Sequence, residues 1–333
     1  MSVTQTDGLK SAGHPPSPDI KGSGFARGRL QWGKVARHQQ RKPLWMLLPG
    51  GAAVLLIIII PVILTVVLSL LNVNVSTLHL WLRAPFIGLR NYVDAFTQPS
   101  IFGVSLVRSI LITVSFSLLT TVIITPIGVL AALSVHRPFR GRGLVRAVYL
   151  IPYVIPTFVT ALMARIMFLN QTGLVDVVLS ALGIASRNTY WLIGPNAFWA
   201  MLFVELWATW PFIYMMTLAG LQAIPKQVYE AAELDGASYW QKIRWIALPQ
   251  IGRLLALGML LSTLNHFASF TLPFVMFSSP PPASVAVLTV NSYFNAFSSF
   301  EFGIASAMAV VTLVILFIPG YLYIRATRMS AAS

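Results

Sequence analysis

Cysteine is absent from this 333-residue sequence, which excludes disulfides and thiolate metal sites. Charge is scarce too. Asp, Glu, Lys and Arg make up 10% of the residues, where a soluble domain carries about 25%. Acidic residues are the rarer sign, 9 against 23 basic ones. No His, Asp and Glu cluster has metal-ligand spacing and no nucleophile–base set stands out, so no catalytic or metal residue is assigned. The phosphate-cradling pattern G-x-x-x-x-G-K-[ST] occurs nowhere, and the chain therefore cannot hydrolyse ATP by that route. What fills the sequence is apolar: 56% of residues are hydrophobic. Such a composition is unsuited to a soluble core and implies an all-α polytopic membrane protein.

Six stretches are long and apolar enough to cross about 30 Å of hydrocarbon, which takes roughly 20 residues. They run approximately from Trp45 to Leu71, Leu106 to Val135, Leu144 to Phe168, Phe198 to Leu221, Leu254 to Phe277 and Phe302 to Ile324. Several contain Pro, among them Pro61, Pro126, Pro156, Pro211 and Pro319. Membrane helices accept Pro where neighbours satisfy the freed carbonyls. The transmembrane domain is thus placed at 44–326, between a tail at 1–43 and a short C-terminal tail at 327–333. The N-terminal tail is rich in Gly, Pro, Ser and basic residues. It has few large apolar side chains and is expected to be disordered. The first apolar stretch follows this long polar tail and is too long for a signal-peptide core, so it reads as a span and not as a cleaved signal.

Basic residues sort by side of the membrane. Eight precede Leu44; Arg137, Arg140, Arg142 and Arg146 follow the second span; Lys226, Lys242, Arg244 and Arg253 lie around the fourth connection; Arg325 and Arg328 close the chain. The opposite side holds only Arg83, Arg90, Arg108, Arg165 and Arg187. By the positive-inside rule both termini and the connection 222–252 face the cytoplasm. The net charge of +14 therefore reflects topology and contact with the bilayer, and a nucleic-acid partner is not expected.

The connection 222–252 is the longest polar excursion in the second half. Pro225 suits a first helical position, and Gln227 to Leu234 are mostly good helix formers. Asp235-Gly236 can end that helix, because Gly accepts the left-handed conformation of a C-terminal cap. Ser238 and Gln241 fit the capping box S-x-x-Q at the start of a second short helix, with Pro249 marking its end. The sequence Glu230-Ala231-Ala232, then Asp235-Gly236-Ala237, then Ile246-Ala247-Leu248-Pro249, held between two spans, resembles the EAA loop of permease subunits of binding-protein-dependent ABC importers. Phe86-Ile87-Gly88-Leu89-Arg90-Asn91-Tyr92 resembles the F-x-G-x-x-N-Y stretch of the carbohydrate-type permeases. Tyr293 to Ala309 is similar to the family's approach to its last span. Leu174 to Gly183 reads as a short amphipathic helix at the outer surface.

The resemblance covers roughly residues 45 to 325 and implies the six-helix type I ABC importer permease fold, in a bacterial cytoplasmic membrane. It implies that Glu230, Ala231, Ala232, Asp235, Gly236, Ala237 and Pro249 belong to the loop that couples to an ATPase. It further implies a set of partners: two ATP-binding cassette subunits, one of them contacted by this loop, a second and homologous permease subunit, and an extracytoplasmic solute-binding protein. No cofactor is expected on this chain; ATP and Mg belong to the partner ATPase. The implied function is to form half of a translocation path for a small solute, with a sugar as the leading candidate and glycerol phosphate or a polyamine as alternatives. A secondary ion-coupled transporter and a membrane scaffold are the rival classes. The first would need a relay of intramembrane acids, and the second a use for the loop unrelated to an ATPase.

Polar groups inside the spans are few. Glu205 is the one carboxylate clearly within a span, and an intramembrane acid is a functional-site hypothesis by default. It could equally be paired with a basic side chain such as Arg165. Asn265, His266 and Ser269 stand on an otherwise apolar helix, where they would either line a path or hydrogen-bond between helices. Trp207, Trp210 and Tyr214 could offer flat faces to the C–H surfaces of a sugar. Aromatic residues also gather as belts at the membrane interface, which is the leading reading for Trp191 and Trp199.

The basic-residue asymmetry makes a topological hypothesis. Reporter fusions placed after Arg187 and after Ser238 are expected to report opposite sides of the membrane. Reports from the same side would overturn the six-span count.

Overall fold

The computed structural model describes residues 48–100, 103–186, 189–277 and 279–332, with side chains up to residue 325. The N-terminal tail, including Trp32 and its basic neighbours, lies outside the described residues. The chain divides into two units, 1–61 and 62–333. In the first, every described residue from Leu48 to Pro61 is exposed. This segment begins α1, the apolar helix Leu48–Ser69.

In the second unit the elements are α2 (Arg90–Thr97), α3 (Leu106–Ser134), α4 (Arg142–Val154), α5 (Thr157–Met167), α6 (Leu174–Ala181) and α7 (Asn196–Ala223). After these come α8 (Lys226–Leu234), α9 (Tyr239–Phe267), α10 (Thr271–Met276), α11 (Leu288–Phe297) and α12 (Phe302–Ala332). Among the described residues the only strand-like pairing is an isolated bridge between Leu71 and Phe86. Five helices among the described residues are long and apolar enough to cross a membrane: α1, α3, α7, α9 and α12 over Phe302–Arg325. The bent pair α4–α5 makes a sixth if it is one span.

Three sequence expectations need correction. The stretch Leu144 to Phe168 is not one straight helix, because α4 and α5 meet at 84°. The cause is Pro156, which disfavours the helical conformation at the preceding residue; Ile155 has ψ 126° and Pro156 ψ 134°. The expected span Leu254 to Phe277 is broken as well: α9 ends at Phe267 and α10 restarts at Thr271. Finally, Pro249 does not end a helix. Lys242–Ala247 is a π-helical turn in which the Leu248 N–H reaches Ile243 O, five residues back. The wider turn accommodates a residue that has no N–H of its own and whose ring crowds the preceding turn. The same device precedes Pro61, where the Ile60 N–H reaches Leu55 O. The loop helix and the fifth span are therefore one continuous helix, α9.

The bundle packs around α3 and α7, with α9 against both. Small polar side chains hold these helices in register. Ser109, Thr113, Ser117 and Thr121 recur every four residues on α3 and all are buried, so they form one stripe. Ser117 Oγ donates to Thr263 O at 2.7 Å, and Thr263 Oγ1 donates to Thr121 Oγ1 at 3.1 Å. Asn291 Nδ2 donates to Ser109 Oγ, and the Leu288 N–H to Thr113 Oγ1, each at 2.8 Å. The F-x-G-x-x-N-Y stretch has a structural reason. Asn91 Nδ2 bonds both Ser69 O and Leu71 O at 2.9 Å, while the Tyr92 hydroxyl meets Ser69 Oγ at 2.7 Å. The expected outer helix Leu174 to Gly183 forms as α6. It is pinned by buried Asp176, which accepts from Gln171 N at 2.8 Å and Trp191 Nε1 at 2.9 Å. Trp191, half-buried, thus braces α6 through its indole N–H.

Gly128 marks the closest approach of α3 to α7. A Cβ there would lie 2.8 Å from Ile213 Cβ and from the Tyr214 backbone N. We predict that Gly128→Leu destabilises the bundle by about 1–3 kcal/mol or more through overpacking. Thermal unfolding in detergent measures this, and an unchanged midpoint would show that the two helices do not meet there.

Candidate functional site

The bends just described face a single cavity. It has a volume of about 820 Å³ and is lined from four directions: by α4 and the 155–156 break, by the start of α5, by the middle of α7, and by the end of α9 with the following break. Irregular backbone at membrane depth is tolerated where it is buried in protein or lines a water-filled cavity. Both breaks satisfy that condition, since Ile155 lines the cavity on one side and Ala268, Ser269 and Phe270 on the other. The Ser269 carbonyl freed by the second break accepts from Thr289 Oγ1 at 2.6 Å.

Four of the path residues expected from sequence come together here: Glu205, Asn265, His266 and Ser269 all line the cavity. Glu205 is buried at 6% exposure and His266 at 2%. His266 Nδ1 lies 2.8 Å from Glu205 Oε1, and its Nε2 lies 3.0 Å from Ser262 Oγ. With Glu205 ionised the carboxylate accepts and Nδ1–H is the donor; with Glu205 protonated the roles exchange. Phe116 of α3 meets the imidazole edge-on, with centroids 6.5 Å apart. Glu205 is therefore paired with His266 and not with Arg165. Thr157, Thr160 and Thr209 add hydroxyls to the lining; Thr160 Oγ1 is buried without a partner.

The expected aromatic residues lie elsewhere. Trp207 lines a separate, largely apolar groove with Met163, Phe168 and Phe203. Trp210 and Tyr214 pack against Tyr149, at 5.4 and 5.5 Å between ring centroids, where Tyr214 is fully buried. The flat faces on the cavity are instead those of Tyr153, Phe212 and Phe270, with Tyr153 and Phe212 stacked at 6.3 Å. Sequence counting found the right helix but the wrong face. Phe212 lies one residue past Pro211, and the helical period alone does not fix which side of α7 meets the bend at Pro156.

At the far end of α9 the loop forms much as its residues dictate. Pro225 is the N-terminal cap of α8, one position before the place expected for it. Gly236 adopts φ +77°, and the Ala237 N–H bonds Ala232 O at 2.9 Å, closing the helix. The capping box is complete, with the Ser238 N–H donating to Gln241 Oε1 at 2.7 Å and the Gln241 N–H to Ser238 Oγ at 3.4 Å. Glu230, Ala231, Asp235 and Gly236 are exposed, whereas Ala232 is buried against the chain's own bundle. A Cβ at Gly236 would meet nothing within 4 Å, so within this chain its φ is the constraint. Glu233 is bound by Lys242, whose hydrogen bond and charge hold that carboxyl below its ordinary range. Leu234, Trp240 and Trp245 are exposed at 90%, 67% and 72%. Sequence reasoning passed over these three, although large apolar residues inside a charged connection were the available signal.

An all-helical membrane bundle with broken helices around a polar cavity is the architecture of a solute transporter. Over residues 124–326 the chain matches the family described as the binding-protein-dependent transport system inner membrane component. It is 33% identical over 245 residues to the trehalose/maltose transport system permease protein MalF of Thermococcus litoralis, covering 73% of this chain and 80% of that protein. It is 32% identical over 248 residues to the sulfoquinovosyl glycerol transport system permease protein SmoG of Agrobacterium fabrum, covering 74% and 78%. Its fold is similar to a chain of a bacterial ABC transporter involved in the import of the acidic polysaccharide alginate. The TM-score is 0.69 across 89% of this chain and 99% of that one, at 24% identity. The chain belongs to this family and is a membrane permease subunit of a binding-protein-dependent ABC importer.

The buried pair between α7 and α9 generates a coupling prediction. Leaving one member alone strands a buried polar or charged group at a cost of about 3–5 kcal/mol. His266→Leu and Glu205→Leu are each expected to lower the unfolding midpoint strongly, and the double variant much less than their sum. Strictly additive losses would show that the two groups do not depend on each other.

Proposed function

We propose that this subunit forms half of the membrane path for an uncharged sugar. The observation that carries the reading is the lining of the 820 Å³ cavity. Hydroxyl, amide and imidazole groups face it beside the aromatic surfaces of Tyr153, Phe212 and Phe270, and no Lys or Arg is among the lining residues. Sugar hydroxyls can exchange hydrogen bonds with Asn265, Ser269 and the threonines, while C–H faces lie on the rings. A glycerol phosphate would meet the Glu205 carboxylate with no cation to offset its charge. A polyamine would have to compete with His266 for that same carboxylate. The name of one relative, a trehalose/maltose permease, points to the same class of ligand, while the sulfoquinovosyl glycerol permease is named for a glycoside that also carries a sulfonate.

On this reading the termini and the 222–252 connection face the cytoplasm, supported by the basic-residue asymmetry. An extracytoplasmic binding protein delivers the solute, a second permease completes the path, and two ATPases hydrolyse ATP. The exposed surface formed by Glu230, Ala231, Asp235, Gly236, Leu234 and Trp240 seats on one ATPase. Motion there has a short mechanical route to the cavity. Trp240 and Asn265 lie on one helix, about 38 Å apart at 1.5 Å rise per residue. ATP-driven displacement of the loop therefore moves Asn265 and His266 directly.

The test separates path from coupling. Asn265→Leu is expected to lower sugar uptake while the ATPase still co-purifies with the permease pair. Gly236→Trp and Glu230→Lys are expected to lose the ATPase. Truncating a desolvated charge contact costs about 2–5 kcal/mol, roughly 30-fold or more in affinity. Retention of the ATPase and full stimulation of hydrolysis by both loop variants would refute the coupling role. Normal uptake by both Asn265→Leu and His266→Leu would refute the path.

A further inference from the structure

The turn after α3 gathers Arg137, Arg140, Arg142 and Arg146, and among the described residues none of them forms a salt bridge. His136 is half-buried there, with its ring 5.9 Å from that of Tyr229 on α8. Burial first, then the charges of Arg142, Arg146 and Arg137, hold the His136 imidazole below its ordinary pKa. Arg146 Nη2 donates to Val135 O at 3.3 Å, which ties α4 to the turn. The Arg137 guanidinium lies 3.8 Å from the centroid of the Tyr239 ring.

Between this turn and the loop segment is a cavity of about 130 Å³, separate from the path. His136, Arg137, Tyr229, Tyr239 and Lys242 line it over an apolar floor that includes Leu133 and Ile243. Two polar atoms of the lining residues are buried without a hydrogen-bond partner, His136 Nδ1 and the Tyr229 hydroxyl; the Nε atoms of Arg142 and Arg146, on α4 and not on the lining, are also buried without one. The one carboxylate on the lining, Glu233, is already bound by Lys242. Topology alone accounts for basic residues at this end of the spans, but not for buried polar atoms without partners. A buried unsatisfied group calls for an explanation, and an ion is one of the standard ones.

We propose that this cavity binds a phosphate group, supplied either by the headgroup of an anionic phospholipid or by free phosphate. Phosphate oxygens accept hydrogen bonds only, which is what a cluster of unpaired donors requires. The cavity lies where α3 ends and α4 begins, at the end of a candidate span, and basic pockets between membrane helices on the cytoplasmic side are suited to such headgroups. It also borders α8 and the first turn of α9. A phosphate bound there links the basic turn to the segment that carries Glu230 and Gly236, and holds that segment against the bundle.

The assembled transporter in nanodiscs tests this. One arm uses discs of phosphatidylglycerol mixed with phosphatidylcholine and counts retained phosphatidylglycerol by native mass spectrometry. The other uses pure phosphatidylcholine discs titrated with inorganic phosphate, reading the unfolding midpoint against a chloride control of equal ionic strength. Arg137→Gln and Tyr229→Phe are expected to abolish retention, or the phosphate-dependent rise in midpoint, while Lys226→Gln, an exposed cation off the cavity lining, leaves both intact. A lipid-only response identifies the headgroup as the source, and a phosphate-only response the free anion. No response of the unmodified protein in either arm would overturn the proposal, and this reading does not depend on the variants folding. Equal losses in Lys226→Gln would reduce the effect to diffuse charge and overturn it as well.

Discussion

A carboxylate in the middle of a membrane helix is the constraint that the arrangement of α3, α7 and α9 has to meet. Glu205 cannot be left alone in a low-dielectric interior, and His266 is the group that meets it. That single bond fixes much else. His266 needs its other nitrogen satisfied, which Ser262 does one turn earlier on the same helix. The imidazole then lies edge-on to Phe116, so the rotation of α9 about its axis is set relative to both neighbours. Once α9 is fixed in this way, Asn265 is turned toward the cavity and Thr263 toward the polar stripe of α3. The same few residues thus build the bundle and the polar wall of the cavity.

Much of this was legible in the sequence because hydrophobicity at membrane depth is a strong signal and a rare polar group stands out against it. Glu205, Asn265, His266 and Ser269 could be picked out by their rarity, and they do share one cavity. The closure of α8 at Gly236 and the capping box at Ser238 were legible too, since both follow from local backbone chemistry. What was not legible depended on partners distant in sequence. Which base would meet Glu205 is decided by helix rotation, and neither His266 nor Arg165 is favoured by spacing alone. Which rings face the cavity, Tyr153, Phe212 and Phe270 and not Trp207, Trp210 or Tyr214, is decided in the same way. The stripe Ser109, Thr113, Ser117 and Thr121 carried a visible four-residue period, yet it sat within a span so apolar that the stretch read as uniform.

Proline shows how one residue type can have opposite outcomes. At Pro156 the helix breaks by 84°, whereas at Pro249 it continues through a π turn. The difference lies in what surrounds the freed backbone. The break at Ile155 opens onto a polar cavity and α10 packs alongside α5, so a bend there costs little unsatisfied hydrogen bonding. At Pro249 the flanking Ala247 and Ile251 are buried against α7, and breaking the helix would expose carbonyls to an apolar surface. Widening one turn avoids that. A proline in a membrane sequence therefore locates an irregularity without saying whether the chain turns or runs on.

Continuity through Pro249 has a mechanical consequence. If α9 ended there, displacement of the loop would be absorbed by a hinge before it reached the membrane interior. Because the helix runs unbroken from Tyr239 to Phe267, the first compliant point is the break at Ala268–Phe270, which is itself part of the cavity wall. Force applied at the loop is therefore delivered where the polar side chains are, and the flexible joint lies beyond them. The Glu205–His266 bond then becomes the natural point of resistance. It joins α9 to α7 just before the joint, so any sliding of α9 along α7 must stretch or exchange that bond, and on the proposed function the hydroxyls of a sugar in the cavity would take over either partner as it does.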